Sequence, residues 1–79
     1  MKIVYILESL KDKRIYTGNT DNLEERIKLH NNGLVESTKY RRPLELVCCI
    51  TFKQDKTAYN FERYLKTGSG RAFINKHFR

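Results

Sequence analysis

Two short stretches decide the fold, Ile3-Val4-Tyr5-Ile6-Leu7 and Arg14-Ile15-Tyr16-Thr17-Gly18, joined through the polar turn Lys11-Asp12-Lys13. The first carries β-branched or aromatic side chains on both of its faces, the composition of a strand covered from two sides. The second ends at a glycine. Together they predict a β-hairpin with a short loop.

Downstream of the hairpin the periodicity changes to that of a helix. Asp21 is suited to an N-cap, with Glu24 at the third helical position as in a capping box. Asn31-Asn32-Gly33 supplies the stop, Gly33 being suited to a left-handed C′ position. With residues placed every ~100°, Leu23 and Ile27 define the inward stripe, and Glu24, Glu25 and Lys28 fall mostly outside it. Arg26 and His30 fall within about 60° of Leu23, on the inward or bordering side, although surface helices usually turn their cations outward. A loop from Leu34 to Pro43 precedes a third strand, Leu44 to Phe52. Asp55 is the expected cap of a second helix running to about Lys66, with Ala58, Phe61 and Leu65 as its apolar stripe and Glu62 at the stripe's edge. Gly68-Ser69-Gly70 reads as a helix–helix turn, with Ser69 capping a short last helix through His77. The expected class is α/β of the α+β type. A small, mostly antiparallel three-stranded sheet is flanked by helices in the order ββαβαα, as one domain over residues 1–79.

At 79 residues folding buries only ~60–65% of the unfolded chain's surface, so modest stability is expected. Hydrophobic content of 39%, with four Phe and five Tyr, is enough for one core and argues against disorder. Sixteen Lys and Arg against nine Asp and Glu leave a net charge of +7. That excess points to a polyanionic partner, because each cation that neutralises a phosphate releases a condensed counterion. A basic surface kept for solubility is the plainer alternative. The apolar runs are too short to span a bilayer, and no helix pairs a wholly basic face with a wide apolar one. Cys48 and Cys49 are neighbours whose side chains point to opposite faces of a strand, so they do not readily bridge. No cysteine or histidine spacing suggests zinc. With a strand starting almost at Met1, no signal peptide is expected, and the expected compartment is the cytosol.

Phosphodiester hydrolysis needs a group to activate water, charge to stabilise the phosphorane, and help for the departing oxygen. One metal ion on a carboxylate serves the last two needs. Arg26, always protonated, suits phosphorane oxygens. Tyr5 or His30 could take the proton from water, although a phenol with an ordinary pKa near ~10 needs nearby cations or a metal to do so at neutral pH. Each residue also has an ordinary explanation. Tyr5 and Tyr16 serve equally as strand aromatics, Glu62 as the i,i+4 partner of Lys66, Arg26 as a partner for its own helix's carboxylates, and His30 as a residue of the last turn.

Order and spacing weigh on that choice. Ile3-Val4-Tyr5, then Tyr16-Thr17-Gly18, Arg26, His30 one turn beyond it, and Glu62 on a later helix together resemble the GIY-YIG nuclease superfamily. The resemblance covers nearly the whole chain. Thr38-Lys39, Arg42-Pro43-Leu44 and Glu62-Arg63-Tyr64-Leu65-Lys66 are similar to stand-alone members related to the excision-repair nuclease N-terminal domain. The resemblance implies Tyr5 as the base or the positioner of water, Tyr16 as a hydrogen-bond partner of water or phosphate, and Arg26 as the catalytic arginine. It implies His30 as an aid to proton transfer and Glu62 as the sole protein ligand of one Mg²⁺ or Mn²⁺. Two positions depart from the family pattern, Ile3 for a glycine and Thr17 for an isoleucine. Neither carries a proton or binds metal.

A second constellation is basic. Lys39, Arg41 and Arg42 in the loop, with Lys66 and Arg71 beyond, are candidate nucleic-acid contacts, and a solvated basic rim is the alternative. The expected activity is metal-dependent endonuclease action on nucleic acid, DNA before RNA. Its rivals are a non-catalytic nucleic-acid-binding module on the same scaffold and a protein-interaction domain for an acidic partner.

Overall fold

The computed structural model describes residues 1–79. Its elements are β1 (Lys2–Ser9), β2 (Ile15–Thr20), α1 (Leu23–Asn31), β3 (Leu44–Phe52), α2 (Asp55–Leu65) and α3 (Gly68–His77), the expected order ββαβαα. The sheet runs β2-β1-β3 and both pairings are antiparallel. β1 is therefore central, and its double-faced composition is explained by what covers it. Val4 and Ile6 pack with Ala58, Leu65 and Ile74 of the two later helices. Tyr5 and Leu7, one residue out of phase, pack with Leu44, Tyr16, Leu23 and Ile27.

Register then decides which β2 residue serves which face. Tyr5 lies opposite Gly18 and Val4 opposite Asn19. Side chains alternate, so Tyr16 and Gly18 belong to the α1 face while Thr17 and Asn19 belong to the α2 face. Gly33 has φ 77°, the left-handed stop expected after α1. Just before it, the Asn31 side chain clasps the start of β3. Its Oδ1 accepts from the Leu44 N–H at 2.8 Å and its Nδ2 donates to the Leu44 carbonyl at 3.1 Å.

The helix starts differ from expectation by one or two residues. Asn22, not Asp21, caps α1, its Oδ1 accepting from the Glu25 N–H at 3.1 Å. Asp21 is instead drawn to Lys2, 3.1 Å away. Gln54 occupies the cap of α2 without a side-chain hydrogen bond, which leaves Asp55 in the first turn, where a carboxylate still favours the helix dipole. Thr67 caps α3 through Oγ1, which accepts from the Gly70 N–H at 3.1 Å, so Gly68-Ser69-Gly70 is helical rather than a separate turn. Gly70 is required there, since a Cβ would collide with the backbone of Tyr64 and Leu65.

Candidate active site

Tyr5 and His30 are both fully buried, at 0% exposure. A buried phenol needs partners for its oxygen, and this one has two. Arg26 Nε donates to Tyr5 Oη at 3.2 Å, and His30 Nε2 lies 3.0 Å from the same oxygen. The other ring nitrogen, Nδ1, lies 2.8 Å from Thr38 Oγ1, whose hydroxyl reaches the Val35 carbonyl at 3.5 Å. One assignment of protons satisfies the chain. Thr38 donates to Val35, His30 Nδ1–H donates to Thr38, and Tyr5 donates to His30 Nε2 while accepting from Arg26.

The electrostatics suit that assignment. Burial, seconded by the charge of Arg26, pushes His30 down to about 4, so the ring is neutral at pH 7. Burial also raises the Tyr5 phenol; the Arg26 hydrogen bond opposes the rise, while Tyr16 and Glu62 add to it. The same hydrogen bond raises Arg26 further. Tyr16 closes the group, its ring edge-on to His30 at 4.9 Å and 6.3 Å from that of Tyr5.

Gly18 makes the site possible. A Cβ there would stand 2.5 Å from the Tyr5 hydroxyl, and a buried ring has nowhere to retreat. Without it, the phenol lies close against the backbone of the edge strand β2. Glu62 is carried by α2, on the other face of the sheet. Asn19 Nδ2 donates to Glu62 Oε1, and Lys66 Nζ sits 2.7 Å from Oε2. The carboxylate is close enough for its charge to act on the Tyr5 phenol. Four of the five expected residues thus converge from the α1 face, and Glu62 joins them from the α2 side of β2.

The donor set can be tested against a divalent cation. Glu62 has no second carboxylate beside it, and no group of three or more His, Cys, Asp or Glu occurs anywhere in the chain. Both His30 nitrogens have internal partners, and the free cysteines lie on β3. A set with one hard oxygen donor, no thiolate and no spare imidazole suits Mg²⁺ or Mn²⁺ completed by water and phosphate, and does not suit zinc. The ammonium of Lys66 must leave Oε2 for such an ion, and its side chain, 53% exposed, has room to do so.

The loop cations are placed differently. Lys39 pairs with Glu36 at 3.1 Å. Arg41 lies 3.4 Å from Asp12, with Nε and Nη2 shut away from solvent. Arg42 Nε donates to the Lys39 carbonyl at 2.8 Å. Lys66 and Arg71 line a groove that also includes Arg41 and Tyr16. Two contributors escaped the sequence reading, Asn19 and Thr38. Asn19 had one signal, its alternation with Gly18, which puts it on the Glu62 face. Thr38 sits in an aperiodic loop, where its one signal was the resemblance of Thr38-Lys39 to stand-alone members.

Fold and site together define a domain of a nuclease superfamily. The chain belongs to the GIY-YIG catalytic domain family, whose model matches residues 1–76. It is similar to the UPF0213 protein of Clostridium perfringens, 46% identical over 67 residues, which are 84% of this chain and 71% of that one. A UPF0213 protein of Staphylococcus haemolyticus is 43% identical over 67 residues, covering 84% of this chain and 80% of its own length. The solution NMR structure of a UPF0213 protein from Bacillus halodurans superposes with a TM-score of 0.60 at 32% identity. It covers 96% of this chain and 84% of that one. The resemblance read from the motifs is borne out. No helix is long and apolar enough to cross a membrane.

Proposed function

We propose that this domain is an endonuclease that hydrolyses phosphodiester bonds of nucleic acid, DNA before RNA, with one Mg²⁺ or Mn²⁺ at Glu62. The observation that carries this reading is the buried Tyr5 hydroxyl, held between a guanidinium and a neutral imidazole with a carboxylate in electrostatic reach.

A raised phenol pKa makes a standing phenolate scarce, so the proton must move in concert. The water attacking phosphorus gives its proton to Tyr5 Oη as the Tyr5 proton passes to His30 Nε2. Burial and, after it, Arg26 depress the basicity of His30, and a phosphate docked on Arg26 offsets the second of these. Arg26 then faces the charge that builds on the phosphorane oxygens. Tyr16 orients the water or a phosphate oxygen. The P–O bond to the leaving nucleoside breaks, and the departing oxygen takes a proton from solvent. When bound at Glu62, the divalent cation supplies charge for that departure. Asn19 holds the carboxylate that receives it.

Glu62→Ala is expected to abolish divalent-cation-dependent nicking of a labelled duplex while folding and most binding persist. Nicking at the parent rate by the purified variant sinks the assignment. The Glu62–Lys66 ion pair favours one second reading, a binding module whose site stays closed by its own lysine. Titrating duplex with and without Mg²⁺ separates the two, since salt-dependent binding without product supports the module.

A further inference from the structure

A groove of about 590 Å³ opens along the outer side of β2, between the hairpin turn and α3. It begins beside the proposed site, at Tyr16 and Lys66, and runs out past Lys13, Arg14, Arg71 and Arg79. No acidic residue lines it. Three of its cations, Lys13, Arg14 and Arg71, make no side-chain ion pair or hydrogen bond. Uncompensated cations clustered on one wall raise the local potential toward anions.

The walls are fixed before any ligand arrives. Arg79, near the C-terminal end of α3, donates through Nη2 to Glu8 Oε2 at 2.8 Å and to the Lys13 carbonyl at 2.7 Å. Its Nη1 donates to Asn75 Oδ1 at 3.2 Å. Lys13 itself is held at φ 65°, with its N–H on the Ser9 carbonyl at 2.8 Å. One buttressed arginine therefore ties the last helix to the hairpin turn and sets the width between them. Of the loop cations, Arg41 also lines this groove but lies 3.4 Å from Asp12, whereas Lys39 and Arg42 are not among its lining residues and have partners within the loop.

We infer that this groove carries the sugar–phosphate backbone next to the scissile bond. Lys13, Arg14 and Arg71 hold its phosphates, and Lys39 and Arg42 supply little of the affinity. The inference rests on the nuclease reading for which phosphate lies at Glu62, but the track itself is read from binding alone.

The test is binding of fluorescein-labelled DNA by the full chain in EDTA, followed by anisotropy across a salt series. The combined variant Lys13→Ala, Arg14→Ala, Arg71→Ala is expected to bind ~10–100-fold more weakly at low salt. Its slope of log affinity against log salt should flatten by about 2 on single strands and nearly 3 on duplex. The pair Lys39→Ala, Arg42→Ala should flatten it by less than about 1. Restoring charge with Arg14→Lys and Arg71→Lys should recover most of the slope, which separates lost contacts from lost structure. An unchanged slope in the triple variant, a larger loss in the loop pair, or no salt-dependent binding by the parent overturns the inference. If the triple variant keeps the slope and the parent still nicks through Glu62, the track alone is wrong. If the slope flattens but Glu62→Ala nicks normally, the track stands and the nuclease assignment falls.

Discussion

The two faces of β1 are built on opposite terms. Toward α2 and α3, Val4 and Ile6 pack in an apolar cluster with Ala58, Leu65 and Ile74. Toward α1 and the following loop, Tyr5 meets Arg26, His30 and, through the ring, Thr38. Both sets are buried to within 1% of complete at β1. The apolar side gains from every methylene removed from water, while the polar side must match each donor with an acceptor merely to break even. Residues adjacent in sequence thus do different work. One side of the strand stabilises the domain, and the other holds a proton chain at a cost the first side offsets.

The largest expected effect is on the carbon side. Ile6→Ala removes a fully buried branched chain from a small core, and a loss of about 2–5 kcal/mol is expected in urea denaturation at pH 7. Cleavage per folded molecule should be little changed. A loss below about 1 kcal/mol would mean the face collapses freely and would remove the contrast.

Next in size is the proton chain's response to acid. His30 titrates at about 4 in the folded chain and near ~6.5 unfolded. Between those values the unfolded state binds the proton more readily, so stability is fully present above pH 6.5 and falls as pH drops toward 4. The loss is up to about 3 kcal/mol, with roughly 2 of it gone by pH 5. His30→Gln has no ring to titrate, so the parent-minus-variant stability difference should shrink between pH 7 and pH 5. Parallel curves for the two proteins would show that the imidazole is not held neutral by its surroundings.

What could be seen in the sequence follows the same division. The hairpin, α1 and β3 were legible because periodicity and punctuation agree there, and β3 spans Leu44–Phe52 as expected. Helical spacing put Arg26 and His30 on the inward or bordering side of α1, and the family resemblance joined Tyr5 and Tyr16 to them. Caps were not. Asp21 beside Asn22 and Thr67 beside Ser69 are pairs with similar capping ability, and tertiary contacts choose between them, as Lys2 does by engaging Asp21. Asn19 and Glu62 are 43 residues apart, and no local pattern encodes so distant a pairing. Thr38 belongs to a loop without periodicity, so spacing could not place it on the His30 ring.

That threonine gives the smallest and most discriminating test of the polar face. Thr38→Val keeps nearly the same shape but removes the acceptor for His30 Nδ1–H, 2.8 Å away. A cost of about 1–2 kcal/mol is expected for the stranded donor. The ring has one escape, which is to move its proton to Nε2. It then points a donor at a Tyr5 oxygen that already accepts from Arg26, and the Tyr5 proton loses its destination. Nitrogen-15 NMR of His30 should therefore show the Nδ1–H tautomer in the parent and a shift toward Nε2–H in Thr38→Val. Thr38→Ser, which keeps a hydroxyl, should hold the parental tautomer. Finding Nε2–H already in the parent would reverse the direction of the chain, and Tyr5 could no longer pass its proton to that ring. A stability loss without a change of tautomer would leave Thr38 as packing alone. The shift in tautomer, more than the loss of stability, separates a residue that sets where a proton resides from one that only fills space.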